Sequence, residues 1–65
     1  MKNVIIYTLP NCSWCIKAKK LLKVLGVSYT ELNEKFDGYP TVPYIVVDGK
    51  PIGGFTEFAA YCRKL

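Results

Sequence analysis

Residues 4–15 read VIIYTLPNCSWC, an apolar run followed by a turn and two cysteines. The run from Val4 to Thr8 is unbroken and most of its side chains are β-branched, which is typical of a strand buried on both faces. Cys12 and Cys15 then open a helical segment, where side chains at i and i+3 lie close enough to bridge without moving the backbone. The partial positive charge at a helix N-terminus favours the thiolate over the thiol. The stretch therefore indicates a redox-active cysteine pair suited to thiol–disulfide exchange.

Length and composition limit the architecture. The chain has 65 residues, of which 51% are apolar and none is histidine. This length predicts one domain, residues 1–65, with a small core. Without histidine, the chain lacks Cys-His and Ser-His-Asp catalytic machinery and any histidine metal ligand. No apolar run approaches the roughly 20 residues that cross a membrane, and the N-terminal run is too short for the core of a signal peptide.

The three cysteines are Cys12, Cys15 and Cys62. They do not form a disulfide framework of the secreted kind, so we expect a reducing compartment, the cytoplasm. Half of a zinc site is an alternative interpretation of the close pair, but zinc normally takes four ligands and Cys62 is the only further thiol. We therefore expect no metal site, and we expect Cys62 to be a buried core thiol.

The net charge is +4, and four of the nine basic residues crowd one segment: Lys17, Lys19, Lys20 and Lys23. Two interpretations stay open: a solvated helix face, or a positive field near the cysteines that attracts anionic thiols and acidic partners. The aromatic residues do not alternate with the basic ones, and no nucleic-acid motif is present. We therefore expect no nucleic-acid partner.

Hydrophobic spacing predicts a helix from about Ser13 to Leu25, with Gly26 at its C-terminal cap. The rest of the pattern predicts a strand at 27–32, a loop at 33–40, a hairpin of strands 43–47 and 50–52 around Asp48-Gly49, and a helix capped by Thr56. Pro51 cannot donate to a ladder, so its strand should lie at an edge. The order is β-α-β-β-β-α, with the first two strands parallel. We expect an α/β fold: a four-stranded mixed sheet with helices covering both faces.

Three further segments resemble the glutaredoxins, a family with the thioredoxin fold. Thr41-Val42-Pro43 is similar to the family's Thr-Val-Pro, whose proline is cis. Residues 52–60 resemble its glutathione-binding segment, and residues 16–19 resemble the start of its first helix. With the cysteine pair, the resemblance covers about residues 3–64. It implies a minimal thioredoxin/glutaredoxin fold and a glutathione-dependent thiol–disulfide oxidoreductase.

Two departures from the family pattern concern glutathione binding. Glutaredoxins usually carry another helix between the second and third strands, but only Asn33 to Pro40 fill that gap here. We expect a loop instead, and one sheet face less covered. Leu9 stands where many relatives have a basic residue that, with one from the missing helix, holds the glycine carboxylate of glutathione. Lys35 is a candidate substitute.

The resemblance also implies a role for each site residue. Cys12, the first and more exposed cysteine, is the expected nucleophile, and Cys15 the resolving thiol. The expected glutathione contacts are Trp14, Thr41, Val42, Pro43, Gly53, Gly54, Thr56 and Glu57. Some of these have structural alternatives: Trp14 packing beside the helix, Pro43 as a trans residue starting a strand, and the two glycines as a simple turn.

The expected function is reduction of protein disulfides and protein–glutathione mixed disulfides, with glutathione as reducing co-substrate. Family analogy adds ribonucleotide reductase as a protein substrate, and we expect a monomer that binds no membrane. Two alternatives stay open. One is a hydrogen donor reduced by thioredoxin reductase. The other is a carrier of a 2Fe–2S cluster held between two subunits by the first cysteine and glutathione, as in some relatives with a serine at the position of Ser13.

Overall fold

The computed structural model of the chain describes residues 2–64; Met1 and Leu65 lie outside the described residues. The elements are β1 (Val4–Tyr7), α1 (Ser13–Val24), β2 (Thr30–Leu32), β3 (Tyr44–Val47), β4 (Lys50–Gly53) and α2 (Phe55–Arg63). They form one mixed sheet in the order β2-β1-β3-β4, with β1 and β2 parallel and the other neighbours antiparallel. This confirms the predicted order of elements, with a loop between β2 and β3. No helix within residues 2–64 is long and apolar enough to cross a membrane.

Both helices pack on the same face of the sheet, so the prediction that helices cover both faces is wrong. One buried cluster joins β1, β3 and both helices: Val4, Ile6, Ala18, Leu22, Ile45, Val47 and Phe58. The two helices also contact each other. Connectivity explains this, because the β1-α1-β2 crossover places α1 on one face and the bend at Gly53-Gly54 returns α2 over that same face.

Four aromatic rings pack together on the other face of the sheet: Tyr7, Phe36, Tyr39 and Tyr44. Phe36 stacks on Tyr44 with ring centroids 4.4 Å apart, and it meets Tyr7 edge-on at 5.1 Å. Tyr39 packs against Tyr44 at 4.3 Å. Phe36 and Tyr39 come from the loop between β2 and β3, so this aromatic cluster covers the sheet without a helix. Elsewhere on this face Ile5 and Val46 are only half-buried, as expected for a less covered face.

β2 begins at Thr30 rather than at the predicted Val27. Gly26 follows the end of α1 with φ +72, and its N–H donates to the Lys23 carbonyl at 3.0 Å. The N–H of Val27 donates to the Leu22 carbonyl, also at 3.0 Å. This pair of bonds is the common glycine-dependent helix ending. Because the Val27 amide completes the helix, it is not available to the sheet, and pairing with β1 starts later.

The hairpin joining β3 and β4 has the predicted turn. Asp48 and Gly49 both have positive φ, +51 and +79, which matches the right-handed twist of paired strands. The Asp48 carboxylate accepts hydrogen bonds from the backbone N–H groups of Lys2 and Asn3 at 2.9 and 2.8 Å. These bonds, led by the one from Asn3, hold the pKa of Asp48 below its usual value. Pro51 lies on β4, an edge strand, as predicted.

Candidate active site

Cys12 and Cys15 are joined as a disulfide at the N-terminus of α1, with Cα atoms 5.2 Å apart. Cys12 is the N-cap residue, and its Sγ accepts the backbone N–H of Cys15 at 3.1 Å. Cys15 is only 2% exposed, whereas Cys12 is half-buried. Solvent therefore reaches the pair through Cys12. In the reduced state, this amide and the helix N-terminus favour a thiolate at Cys12.

A groove of about 180 Å³ brings together seven of the eight predicted glutathione contacts: Trp14, Thr41, Val42, Pro43, Gly54, Thr56 and Glu57. The eighth, Gly53, is buried and is not part of the groove lining. The Sγ atom of Cys12 lies 3.8 Å from the carbonyl oxygen of Val42. The groove therefore extends from the Val42 backbone, beside the Cys12 sulfur, to the N-terminus of α2.

The Val42–Pro43 peptide bond is cis, as predicted, and Pro43 is buried directly before β3. The trans alternative is wrong. The Val42 backbone stands beside the Cys12 sulfur, as expected for a segment that pairs with an extended ligand.

Trp14 forms a wall of the groove at the point where the two helices meet. Its ring lies 5.5 Å from that of Phe55, and the Nζ of Lys17 stands 4.3 Å from its ring centroid. The side chain is nevertheless 52% exposed. Trp14 thus packs beside the helix and also lines the groove, while its contact with glutathione stays a prediction. Of the four clustered lysines, Lys17 packs on the Trp14 ring without lining the groove, while Lys19 is paired with Glu31.

α2 begins at Phe55 with Gly54 as its N-cap, so the prediction that Thr56 caps this helix is wrong. Glu57 provides the reason. Its Oε1 accepts the backbone N–H of Gly54 at 2.9 Å, which satisfies an amide that a later cap would leave free. A Cβ atom on Gly53 would lie 3.0 Å from both Cβ and Cγ of Glu57. The glycine pair therefore makes room for the chain's own glutamate.

A second cavity, of about 450 Å³, lies on the other side of the disulfide and is lined by both cysteines and a polar network. Thr8 donates from Oγ1 to Oε2 of Glu31 at 2.7 Å, and Asn33 donates to Thr8 Oγ1 at 2.7 Å. The Lys19 ammonium lies 3.0 Å from the same Glu31 oxygen. The Thr8 hydrogen bond, followed by that from Lys19, holds the pKa of Glu31 below its ordinary value. Thr8 is 2% exposed, so this network also satisfies a buried hydroxyl.

Cys62 is half-buried on α2 and packs against the core rather than lying fully inside it. Burial raises the pKa of its thiol. Across residues 2–64, no group of three His, Cys, Asp or Glu side chains is placed to hold a metal ion.

Comparison with known proteins gives a consistent result. The sequence model of the glutaredoxin family matches residues 4–52. The chain is 39% identical to Glutaredoxin 3 of Escherichia coli (strain K12), over 92% of this chain and 86% of that protein. The chain belongs to the glutaredoxin family. It is also 39% identical to Glutaredoxin 1 of Rickettsia conorii, over 83% of this chain and 66% of that relative's length.

A solved glutaredoxin structure has the same fold. Glutaredoxin 1 from Francisella tularensis superposes with a TM-score of 0.85 and 28% identity, covering 95% of this chain and 93% of that one. The resemblance and the minimal thioredoxin/glutaredoxin fold are thereby confirmed. The chemistry shared by glutaredoxins is thiol–disulfide exchange, and the Cys12–Cys15 pair is placed for it.

Two residues of this glutaredoxin's groove were not predicted from sequence. Tyr39 and Phe55 both line it. Phe55 stands inside the segment that resembles the family's glutathione-binding region, and Tyr39 comes two positions before Thr41, so proximity to known motifs was the available signal. Leu9 lines the second cavity instead, and Lys35 is exposed and does not line the groove.

Proposed function

We propose that this chain is a glutathione-dependent thiol–disulfide oxidoreductase in which Cys12 is the nucleophile and Cys15 the resolving thiol. The observation that carries the proposal is that the groove runs from Val42, whose carbonyl oxygen lies 3.8 Å from the Cys12 sulfur, to the N-terminus of α2. An extended tripeptide with a central thiol suits this shape. Its sulfur meets Cys12, and its backbone runs along Val42.

Reduction of a glutathionylated protein takes two exchanges. The Cys12 thiolate attacks the sulfur of the bound glutathione, the mixed disulfide breaks, and the protein leaves as a thiolate that takes up a proton. Glutathione is now bonded to Cys12. The thiolate of a second glutathione attacks the sulfur of the first, so glutathione disulfide leaves and the Cys12 thiolate returns.

Reduction of a protein disulfide uses both cysteines. Cys12 attacks one substrate sulfur and forms a mixed disulfide, releasing the other as a thiolate. The Cys15 thiolate then attacks the Cys12 sulfur, so the second substrate sulfur leaves and the Cys12–Cys15 disulfide forms. Because Cys15 is 2% exposed, it reacts with the neighbouring Cys12 sulfur rather than with a substrate in solution. Two glutathione molecules return the pair to thiols.

The groove suits the γ-glutamyl end of glutathione better than its glycine end. Glu57 places a carboxylate near the N-terminus of α2, where a γ-glutamyl ammonium and carboxylate both find partners. Thr56 is exposed in the same first turn. Within residues 2–64, no lysine or arginine lines the groove, so the glycine carboxylate meets no basic side chain there.

That shortage of cations favours a second candidate: reduction by thioredoxin reductase, with the disulfide accepting electrons directly from a protein.

The iron–sulfur alternative stays a prediction. Beside the groove the chain offers such a cluster one accessible thiol, Cys12, since Cys15 is buried. Brown colour after anaerobic reconstitution with iron, sulfide and glutathione would support it, and failure to bind iron would remove it.

We further propose that the protein acts as a cytoplasmic monomer on disulfide-containing and glutathionylated proteins, with ribonucleotide reductase as one substrate. Gel filtration with light scattering tests the first part. Turnover of oxidised ribonucleotide reductase in the coupled system described next tests the second.

Glutathione-dependent reduction of a small mixed disulfide, coupled to NADPH and glutathione reductase, tests the central proposal. A parallel assay contains thioredoxin reductase instead of glutathione and glutathione reductase. The Cys12→Ser variant is the control in both assays. NADPH oxidation in the glutathione arm that Cys12→Ser abolishes supports the proposal. Turnover in the thioredoxin reductase arm alone would replace it with the second candidate.

A further inference from the structure

We propose that Tyr39, a loop residue, binds the α-carboxylate of the γ-glutamyl group of glutathione through its phenol hydroxyl. The inference rests on the proposed function, because it names a contact within the same groove. Its starting point is that Tyr39 lines the groove although the loop that carries it stands where relatives have a helix.

The position of the hydroxyl is the first argument. The Tyr39 oxygen lies 3.8 Å from the place that a Cβ atom on Gly54 would take, and Glu57 Oε1 lies 3.2 Å from that same place. The Pro43 carbonyl oxygen lies 3.4 Å from it. One small volume above Gly54 is therefore reached by a carboxylate, a carbonyl oxygen and a hydroxyl, and of these three groups only the hydroxyl can donate a hydrogen bond. Among the hydrogen bonds of residues 2–64, none uses the Tyr39 hydroxyl.

The chemistry of the ligand end is the second argument. The γ-glutamyl group carries an ammonium and a carboxylate on one carbon atom. Glu57 attracts the ammonium, but its own negative charge opposes the neighbouring carboxylate. A side-chain donor close to that carboxylate would add to the backbone N–H groups at the N-terminus of α2. No lysine or arginine of residues 2–64 lines the groove, and the Tyr39 hydroxyl is a donor that faces this volume.

Rigidity is the third argument. The Tyr39 ring packs on Tyr44 at 4.3 Å, and its backbone N–H donates to the Phe36 carbonyl at 3.0 Å. Phe36 in turn stacks on Tyr44. The hydroxyl is thus held in place before ligand arrives, so binding loses little side-chain entropy.

The test compares two ligands with two variants by NMR titration of the reduced protein. The first ligand is S-methylglutathione, whose thioether does not react with Cys12. The second is 4-aminobutyryl-S-methylcysteinylglycine, which lacks only the α-carboxylate. Tyr39→Phe keeps the packed ring and removes the hydroxyl. Tyr29→Phe is the matched control, because Tyr29 packs against the core away from the groove.

We expect Tyr39→Phe to weaken the binding of S-methylglutathione by about tenfold, equivalent to about 1.4 kcal/mol. This is the effect expected for loss of a hydrogen bond to a charged group. The affinity of Tyr39→Phe for the second ligand should match that of the wild type. Tyr29→Phe should bind both ligands with wild-type affinity. Equal losses for both ligands, or no loss for either, would overturn the assignment while the proposed function stands. A wild-type protein that does not bind S-methylglutathione would overturn both.

Discussion

Phe36 stacks on Tyr44 with ring planes 22° apart and centroids 4.4 Å apart. One ring belongs to the loop between β2 and β3, and the other to the first residue of β3. Together with Tyr7 and Tyr39 they cover the sheet face opposite the two helices. Stacked and edge-on aromatic pairs add about 0.5–1.5 kcal/mol each beyond their buried area. The family's missing helix is therefore replaced by ring packing from a short loop.

Removal of the Phe36 ring should destabilise the protein. We expect Phe36→Ala to lower the free energy of unfolding by about 2–3 kcal/mol, somewhat less than the cost at a fully buried phenylalanine, since Phe36 is half-buried. Urea denaturation followed by far-UV circular dichroism measures this. Phe36→Tyr keeps the stacked ring and is the control. A Phe36→Ala variant as stable as that control would show that the cluster does not hold the loop.

The two active-site cysteines should differ in what their loss removes. Cys12→Ser should abolish all activity, because Cys12 is half-buried and can be reached by a substrate sulfur, whereas Cys15 is buried. Cys15→Ser should keep deglutathionylation and lose protein disulfide reduction, which needs a resolving thiol. Coupled NADPH assays with a glutathionylated peptide and with a protein disulfide separate the two activities. Activity in Cys12→Ser together with a dead Cys15→Ser would mean that the roles are reversed.

Two glycines with positive φ should respond differently to alanine. Gly53 has φ +126, and an added Cβ would lie 3.0 Å from both Cβ and Cγ of Glu57. Gly38 has φ +85 with nothing within 4 Å of an added Cβ. We expect Gly53→Ala to cost about 2–4 kcal/mol from strain plus collision, and Gly38→Ala about 1–2 kcal/mol from strain alone. Denaturant midpoints measure the difference, and equal costs would argue against close packing with Glu57.

Local signals predicted most of the backbone. Gly26 marked a helix end and Asp48-Gly49 a hairpin, because both depend on conformations that few residues adopt. The Val42–Pro43 geometry came from a family motif. The helix face was not predictable in this way. It depends on how the chain returns after β4, and periodicity shows that a helix has an apolar side without showing which sheet face it covers.

Sequence motifs predicted most of the groove residues but not all of them. Seven matched positions do line it, since glutaredoxin motifs record those positions directly. Tyr39 lies outside the quoted motifs, in the loop before Thr41, and its place depends on packing with Tyr44. The cap made by Glu57 was not predicted, because the family motif indicates a glutathione contact at this position rather than a partner for the Gly54 amide.

Glu31 should make stability depend on pH in the acid range. Folding lowers its pKa below the ordinary 4.5, so the folded state binds this proton less tightly than the unfolded state. The stabilising contribution is complete at neutral pH and is lost as pH falls below about 4.5. Glu31→Gln should therefore lose stability at neutral pH and show a flatter decline on acidification, measured as thermal midpoints across pH.

Asp48 is a second carboxylate whose contribution the same experiment can separate. The pKa of its carboxyl is also lowered, by hydrogen bonds from Asn3 and Lys2, so it contributes to the same acid loss. Asp48→Asn keeps a residue that suits the turn. The double variant should show less pH dependence than either single variant. A Glu31→Gln profile parallel to that of the wild type would show that the Thr8 and Lys19 contacts do not favour the charged form.

The aromatic cluster also bears on the order in which the chain folds. Phe36 and Tyr44 are eight positions apart in sequence, whereas pairing of β1 with β3 joins Val4 to Val47. A loop of about ten residues closes within about 10–100 ns, and longer closures cost more entropy. The contact between Phe36 and Tyr44 therefore closes a much shorter loop than pairing of β1 with β3 does, and we expect Phe36→Ala to slow refolding as well as speed unfolding. In that case the loop that brings Tyr39 to the groove also contributes to the folding transition state, so one short segment would affect both ligand binding and folding rate.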